Sequence, residues 1–216
     1  MIISPARKFI FVHIPKTGGT SLALALEARA HRDDILIGDT PKAIRRKARV
    51  KTLAAKGRLW KHSTLADLDG ALSPSDLDGM FIFTLVRNPW DRMVSYYHWL
   101  RDQSFDHPAV TLAKATSFEA FVLHPNTEAS LRAHPAARYV TDAAGVERCS
   151  AYVRLEHLEE DLAPVEAHVG FRLDVPHANA SDRPRDYRSA YSDQTAAAVA
   201  EMCADDIARF RYRFGA

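Results

Sequence analysis

Two short stretches carry residues able to hold an anion. Pro15-Lys-Thr-Gly-Gly-Thr-Ser21 puts two glycines where the backbone turns tightly ahead of a run of helix formers. Main-chain N–H groups and the positive end of a helix dipole then face whatever lies over the turn. Lys16 adds a point charge, Gly18 and Gly19 make the turn, and Thr17, Thr20 and Ser21 add hydroxyl donors. The competing reading is a glycine turn beside a solvated lysine, and the string alone leaves both open. It is not the G-x-x-x-x-G-K-[ST] phosphate loop, whose lysine follows its last glycine, because Lys16 precedes Gly18.

The second stretch is Arg87-Asn-Pro-Trp-Asp-Arg-Met-Val-Ser95. If Asn88 caps a helix, Ser95 lies about two turns, or ~10 Å, along it, so Arg87 and Ser95 could touch one phosphate. The alternative is that Arg87 pairs with Asp91 while Ser95 packs. Two anion sites on one crevice suit a ligand with two separated phosphate-like groups.

These residues need strands to present them. Residues 9–14 and 80–86 are apolar and of strand length, the latter reading as a sheet strand covered on both faces. A shorter strand is expected over 57–62, with Ser63 or Thr64 capping a helix over 65–72. Helices are expected over 21–30, 90–103 (capped by Asn88, with Pro89 first), 117–123, 157–168 and 192–210. A hairpin is expected around Asp142-Ala-Ala-Gly145, a strand over 151–154, and a long loop over 171–191. Alternating strands and helices imply an α/β fold, one P-loop-like domain over 1–216 with a mainly parallel sheet flanked by helices. All strands then deliver their C-terminal ends to one edge, where Lys16, His62 and Arg87 should arrive together.

Composition excludes several classes. Among 216 residues, 47% are hydrophobic and 26% charged, with 9 Gly and 11 Pro, which fits neither a disordered nor a collagen-like chain. A net charge of +2 excludes bulk attraction to nucleic acid, so anion recognition must be local. No run reaches the ~18 apolar residues of a membrane span, and no signal peptide is evident, so a cytoplasmic location is expected. Cys149 and Cys203 lack metal or redox spacing and are expected to be buried packing residues.

His13-Ile-Pro-Lys-Thr-Gly-Gly-Thr-Ser-Leu22 and Leu85-Val-Arg-Asn-Pro-Trp-Asp-Arg-Met-Val-Ser-Tyr-Tyr97, in this order and at this distance, resemble the two nucleotide signatures of the PAPS-dependent sulfotransferase superfamily. The resemblance is closest to bacterial family 2-like members related to the Golgi carbohydrate sulfotransferases. It continues more weakly through Arg154-Leu-Glu-His-Leu158 with Asp161, Pro176-His-Ala-Asn179 and Asp206-Ile-Ala-Arg-Phe-Arg-Tyr212. It implies transfer of a sulfuryl group from 3′-phosphoadenosine 5′-phosphosulfate (PAPS) to an acceptor hydroxyl, leaving adenosine 3′,5′-bisphosphate (PAP). By resemblance, Lys16, Thr17, Gly18, Gly19, Thr20 and Ser21 hold the 5′-phosphosulfate, Arg87 and Ser95 hold the 3′-phosphate, and no metal is expected. Lys16 fits the role of stabilising the leaving phosphate. Family analogy also points to a carbohydrate or glycolipid acceptor.

A hydroxyl acceptor needs a general base, and His62 is the expected one, since a neutral imidazole accepts a proton near pH 7. A purely structural histidine is the alternative. His13, inside the first strand, is expected to pack beneath the loop and orient it, and Glu156 is a distant third. Arg183 and Arg185 could reinforce the nucleotide site. Trp90, Tyr96, Tyr97 and Trp99 fit the core better than a stacking platform.

From Pro41 to Lys61 the chain holds nine cations and no acidic residue. This segment, 42–61, reads either as a basic lip guiding the anionic donor, an anionic glycan or a lipid headgroup, or as a solvated helix face. Two rivals to a sulfotransferase remain at this stage: a P-loop nucleotide kinase or NTPase, and a non-catalytic module binding nucleotides or anionic surfaces.

Overall fold

The computed structural model describes residues 1–176 and 186–215. They form two compact units, one comprising 1–86 with 136–176, the other 87–135 with 186–215. Elements are numbered along the chain.

The first unit is built on a five-stranded sheet ordered β3-β1-β2-β4-β5. Its strands are β1 (Ile2–Ser4), β2 (Phe9–Val12), β3 (Ile35–Leu36), β4 (Phe81–Val86) and β5 (Ala151–Arg154). β2, β4 and β5 are parallel neighbours, and β1 runs antiparallel to both β2 and β3. Four strands therefore share one direction and only β1 opposes it, in keeping with the expected mainly parallel α/β sheet. The two apolar runs form the centre: Phe11 and Phe83 are fully buried with ring centroids 5.4 Å apart, and each contributes about 1.5–3 kcal/mol by burial. Thr84, the polar residue inside β4, donates its hydroxyl to the Val12 carbonyl at 2.8 Å, so its burial leaves no orphan group.

Helix α1 (Gly19–Ala28) follows β2, then α2 (Pro41–Arg45), α3 (Lys47–Lys51) and α4 (Pro74–Asp78). Further along lie α9 (Ala136–Tyr139), α10 (Leu158–Asp161) and α11 (Ala163–Val169). The Arg154 guanidinium makes a two-pronged bond to Asp161 at 2.7 and 2.9 Å, and the Arg154 N–H donates to the same carboxylate. The weakly matching stretch that begins at Arg154 is thus a clamp joining β5 to α10, and its cation holds the Asp161 carboxyl below its ordinary value.

Several expectations fail for local reasons. Residues 57–62 are not a strand, because Ser63 closes them into a turn: its hydroxyl accepts from the Trp60 N–H at 2.8 Å and lies 3.0 Å from the Arg58 carbonyl. The helix over 65–72 shrinks to one 3-10 turn, Ala66–Leu68, before Gly70 at φ 86°. The helix over 157–168 is interrupted at Leu162, just before Pro164, which lacks the N–H a continuous helix needs. The hairpin expected around Asp142–Gly145 is present in short form, an antiparallel bridge from Thr141 to Glu147 flanked by the bonds of Asp142 N–H to the Val146 carbonyl and Arg148 N–H to the Val140 carbonyl, each 2.9 Å. β1 and β3 were not foreseen, being two or three residues long and defined only by their partners. Cys149 and Cys203 are half-buried rather than core residues.

The second unit is helical: α5 (Pro89–Arg101), α6 (Pro108–Ala115), α7 (Phe118–Val122), α8 (Pro125–Arg132), α12 (Asp193–Met202) and α13 (Ala204–Phe210). Asn88 caps α5 as expected, its side chain accepting from the N–H groups of Trp90 and Asp91. Trp90, Met93, Tyr97 and Leu100 recur at helical spacing and are buried together with Phe121 and Val199. The closing helix breaks at Cys203 into α12 and α13.

Candidate functional site

β2 ends at Val12, and the chain then turns through Pro15 and Lys16 into α1. Lys16 at φ 64° and Gly18 at φ 83° both take left-handed backbone, which Gly18 adopts without strain and Lys16 only against it. Strained backbone of this kind concentrates at functional loops. The Thr17 hydroxyl donates inward to the Ile14 carbonyl at 2.9 Å and its residue is 1% exposed. Thr17 therefore tightens the loop, and its side chain is not the outward donor expected from the sequence.

Helix α1 begins unlike the other described helices of eight or more residues, α5, α6, α8 and α12. No side chain caps its first turn and no carboxylate lies in it. Among the described residues, α2, α4, α5, α6, α7, α8 and α12 each start with a side chain accepting from the first turn. The start of a helix of this length without its own acceptor, behind Lys16 and two glycines, is suited by its dipole and its first-turn N–H groups to negative charge.

The glycines are held to their identity by neighbours. A Cβ on Gly19 would stand 2.2 Å from Cδ2 of His13, and one on Gly18 would stand 2.8 Å from Leu155. His13 thus packs directly beneath the loop, as expected. Burial holds its imidazole well below the ordinary value, so it is neutral.

His62 arrives at the same end of β2, although a turn rather than a strand delivers it. Its Nδ1 lies 2.9 Å from the His13 carbonyl oxygen, and the two rings meet edge to face with centroids 4.7 Å apart. A carbonyl only accepts, so Nδ1 carries the proton and the Nε2 lone pair is left to act as a base. Burial lowers its pKa to about 4. Trp60 packs edge-on against its other side at 5.0 Å. Beside this cluster, Thr20, Glu27, Asp39, Thr40 and Lys61 line a small pocket with His13. Thr40 donates its hydroxyl to the Glu27 carboxylate, whose pKa burial raises. Glu156, the more distant candidate base, is exposed on the 3-10 turn Leu155–His157.

In the second unit, Arg87 and Ser95 flank the start of α5. Arg87 is ion-paired to Asp91, with Nε 2.8 Å and Nη2 2.6 Å from one carboxylate oxygen. This is the pairing the alternative reading anticipated. It also fixes the guanidinium in one orientation at the mouth of a capped helix. Ser95 is 4% exposed on α5. Trp90 and Tyr97 lie in the core, with Tyr96 and Trp99 packed against it.

Sequence reading missed the residues that hold Asn88. Its side-chain amide donates to the Arg213 carbonyl at 3.2 Å and lies 3.4 Å from the Tyr187 hydroxyl, which in turn accepts from the Gly215 N–H at 2.8 Å. These partners are 99 and 125 residues away, beyond any local signal. The stretch His177–Asn179, Arg183 and Arg185 lie outside the described residues.

Comparison with known proteins follows the same lines. A profile of the sulfotransferase family matches residues 1–213, which takes in both motifs. No curated protein sequence matches the chain. Among solved structures, a mouse sulfotransferase, SULT7A1, complexed with PAP, is similar at a TM-score of 0.48 and 15% identity, over 95% of this chain and 85% of that one. By the family match, the chain belongs to the sulfotransferase family, the PAPS-dependent enzymes that its two motifs resemble.

Proposed function

We propose that the chain transfers the sulfuryl group of PAPS to a hydroxyl of a carbohydrate or glycolipid acceptor, with His62 as general base. The observation that carries this reading is the His62 tautomer, fixed by the His13 carbonyl at 2.9 Å with Nε2 left as acceptor. It stands beside a helix start without a side-chain cap. The acceptor oxygen attacks sulfur while the sulfur–oxygen bond to the 5′-phosphate breaks. The hydroxyl proton passes to Nε2 of His62, and PAP leaves with the new charge on its 5′-phosphate. Lys16 and the first-turn N–H groups of α1 stabilise that charge, a contribution that grows only as the bond breaks. Arg87 and Ser95 hold the 3′-phosphate, an assignment that family resemblance supports. A carbohydrate or glycolipid acceptor likewise rests on resemblance to the carbohydrate sulfotransferases.

Incubation with labelled PAPS against a panel of glycans and glycolipids tests the proposal. It expects PAP release matched one for one by label on an acceptor hydroxyl. PAPS binding without transfer to any hydroxyl overturns it.

A further inference from the structure

The cations of the basic segment fall into two groups. Lys42, Arg46 and Arg49 point their charges at main-chain carbonyls: that of Glu27 in the last turn of α1, and those of His31 and Asp34 in the chain that follows it. Lys42 thereby complements the negative end of the helix dipole, which has no basic residue in its own last turn. Lys56 and Lys61 pair with Asp69 and Asp39. These five are accounted for by the fold.

The others are not. Arg45, Lys47 and Lys51 are exposed, and their side chains make no ion pair or hydrogen bond among the described residues. Along the two short helices α2 and α3, which break at Arg46, Ile44, Arg45, Lys47, Ala48 and Lys51 face solvent, while Ala43 is buried and Lys42, Arg46, Arg49 and Val50 are half-buried. Ile44 is 60% exposed, more than any other large apolar side chain described. Trp60, later in the same segment, is 46% exposed, with the Arg58 guanidinium over its ring at 5.8 Å. Exposed apolar side chains interleaved with cations suit a surface that lies on an anionic bilayer, the apolar groups entering the headgroup region and the cations meeting lipid phosphates. A soluble polyanion would use the charges but gain nothing from Ile44.

We propose that the Pro41–Lys61 surface docks on anionic lipid membranes, with Ile44 and Trp60 as apolar anchors and Arg45, Lys47, Lys51 and Arg58 as the cations that meet the headgroups. The proposal is independent of the catalytic assignment, and a negative result for either leaves the other standing.

Vesicle flotation tests it, comparing phosphatidylcholine alone with equal parts of phosphatidylcholine and phosphatidylglycerol. The protein is expected to float only with the anionic vesicles and to be released by high salt. The triple variant R45E/K47E/K51E is expected to lower partitioning by about a hundredfold or more, since each basic residue near such a surface adds several-fold. Ile44→Ser is expected to lower it by about tenfold with the charge intact. Lipids with brominated acyl chains should quench the tryptophan emission of the wild type far more than that of Trp60→Phe. Circular dichroism of each variant confirms that it is folded. Failure to float with anionic vesicles overturns the proposal. So does binding that Ile44→Ser and Trp60→Phe leave unchanged and that soluble heparin competes fully, which would assign the surface to a polyanion.

Discussion

The imidazole of His62 donates its Nδ1 proton to the main-chain carbonyl of His13 at 2.9 Å, while the His13 ring fills the space beneath Gly19. One residue thus sets both the tautomer of the candidate base and the shape of the candidate anion loop. A shift of His13 by a few tenths of an ångström moves both groups together, which is how a strand end can hold a base and an anion cradle in fixed relation.

Replacing His62 by alanine is expected to lower kcat by about 10²–10⁴-fold. Binding of PAP, measured by calorimetry, should stay within a few-fold of wild type. Turnover equal to wild type removes His62 from the mechanism.

Lys16→Ala should lower kcat by about 10²–10³-fold, the usual cost of deleting one donor to a developing oxyanion. An acceptor-independent assay of PAP binding separates this from a loss of donor affinity, which should be the smaller of the two effects.

Gly19→Ala drives a methyl group into the His13 ring at 2.2 Å. The overpacking is expected to cost about 1–3 kcal/mol of stability and most of the activity. In the double variant with His13→Ala, the stability loss should be well below the sum of the two single losses, read from urea denaturation. Simple additivity would show that the contact does not hold the loop.

Arg87→Ala should weaken PAP binding by about 10–100-fold, as expected for one charge-assisted contact. Ser95→Ala should weaken it less. Calorimetry with PAP checks both, and unchanged affinity in Arg87→Ala ends the assignment of the 3′-phosphate to this residue.

Acid should act on activity and stability in separate windows. His62 must be neutral to accept a proton, so kcat/KM is expected to hold from pH 7 downward and to fall as the pH drops through about 4. The stability effect begins earlier. His13 and His62 bind protons in the unfolded chain near the ordinary pKa of ~6.5 but less readily in the folded one. The unfolded state therefore gains protons first as acid is added, and the stability conferred by the neutral forms, complete above ~6.5, is progressively lost toward pH 4. Thermal melts should show Tm falling from pH 7 to pH 5, with a shallower slope in His13→Asn.

Local signals were sufficient where an element is made by its own residues. The continuous apolar run before Val86 names β4, and Asn88-Pro89 names the start of α5, because strand burial and helix capping are short-range effects. The two motifs were legible for the same reason: a glycine turn entering a helix in the first, and an Asn-Pro helix start behind an arginine in the second, are local patterns. Elsewhere the chain depended on distant partners. The expected strand over 57–62 closed into a turn on Ser63, yet His62 still met the first motif. Nothing near position 62 in the chain specifies that meeting, since the carbonyl that orients the ring lies 49 residues earlier. Arg154 and Asp161 looked like a weak motif and proved to be a clamp, and the partners of Asn88 come from the far end of the chain. Residue type and spacing determined which groups can bind an anion or move a proton. Only tertiary structure decided which nitrogen of His62 keeps its proton, why Gly19 can be nothing larger, and which basic side chains bond main-chain carbonyls while others face solvent. Those outcomes depend on contacts between segments far apart in sequence, whose closure is set by packing of the whole sheet and not by local preference.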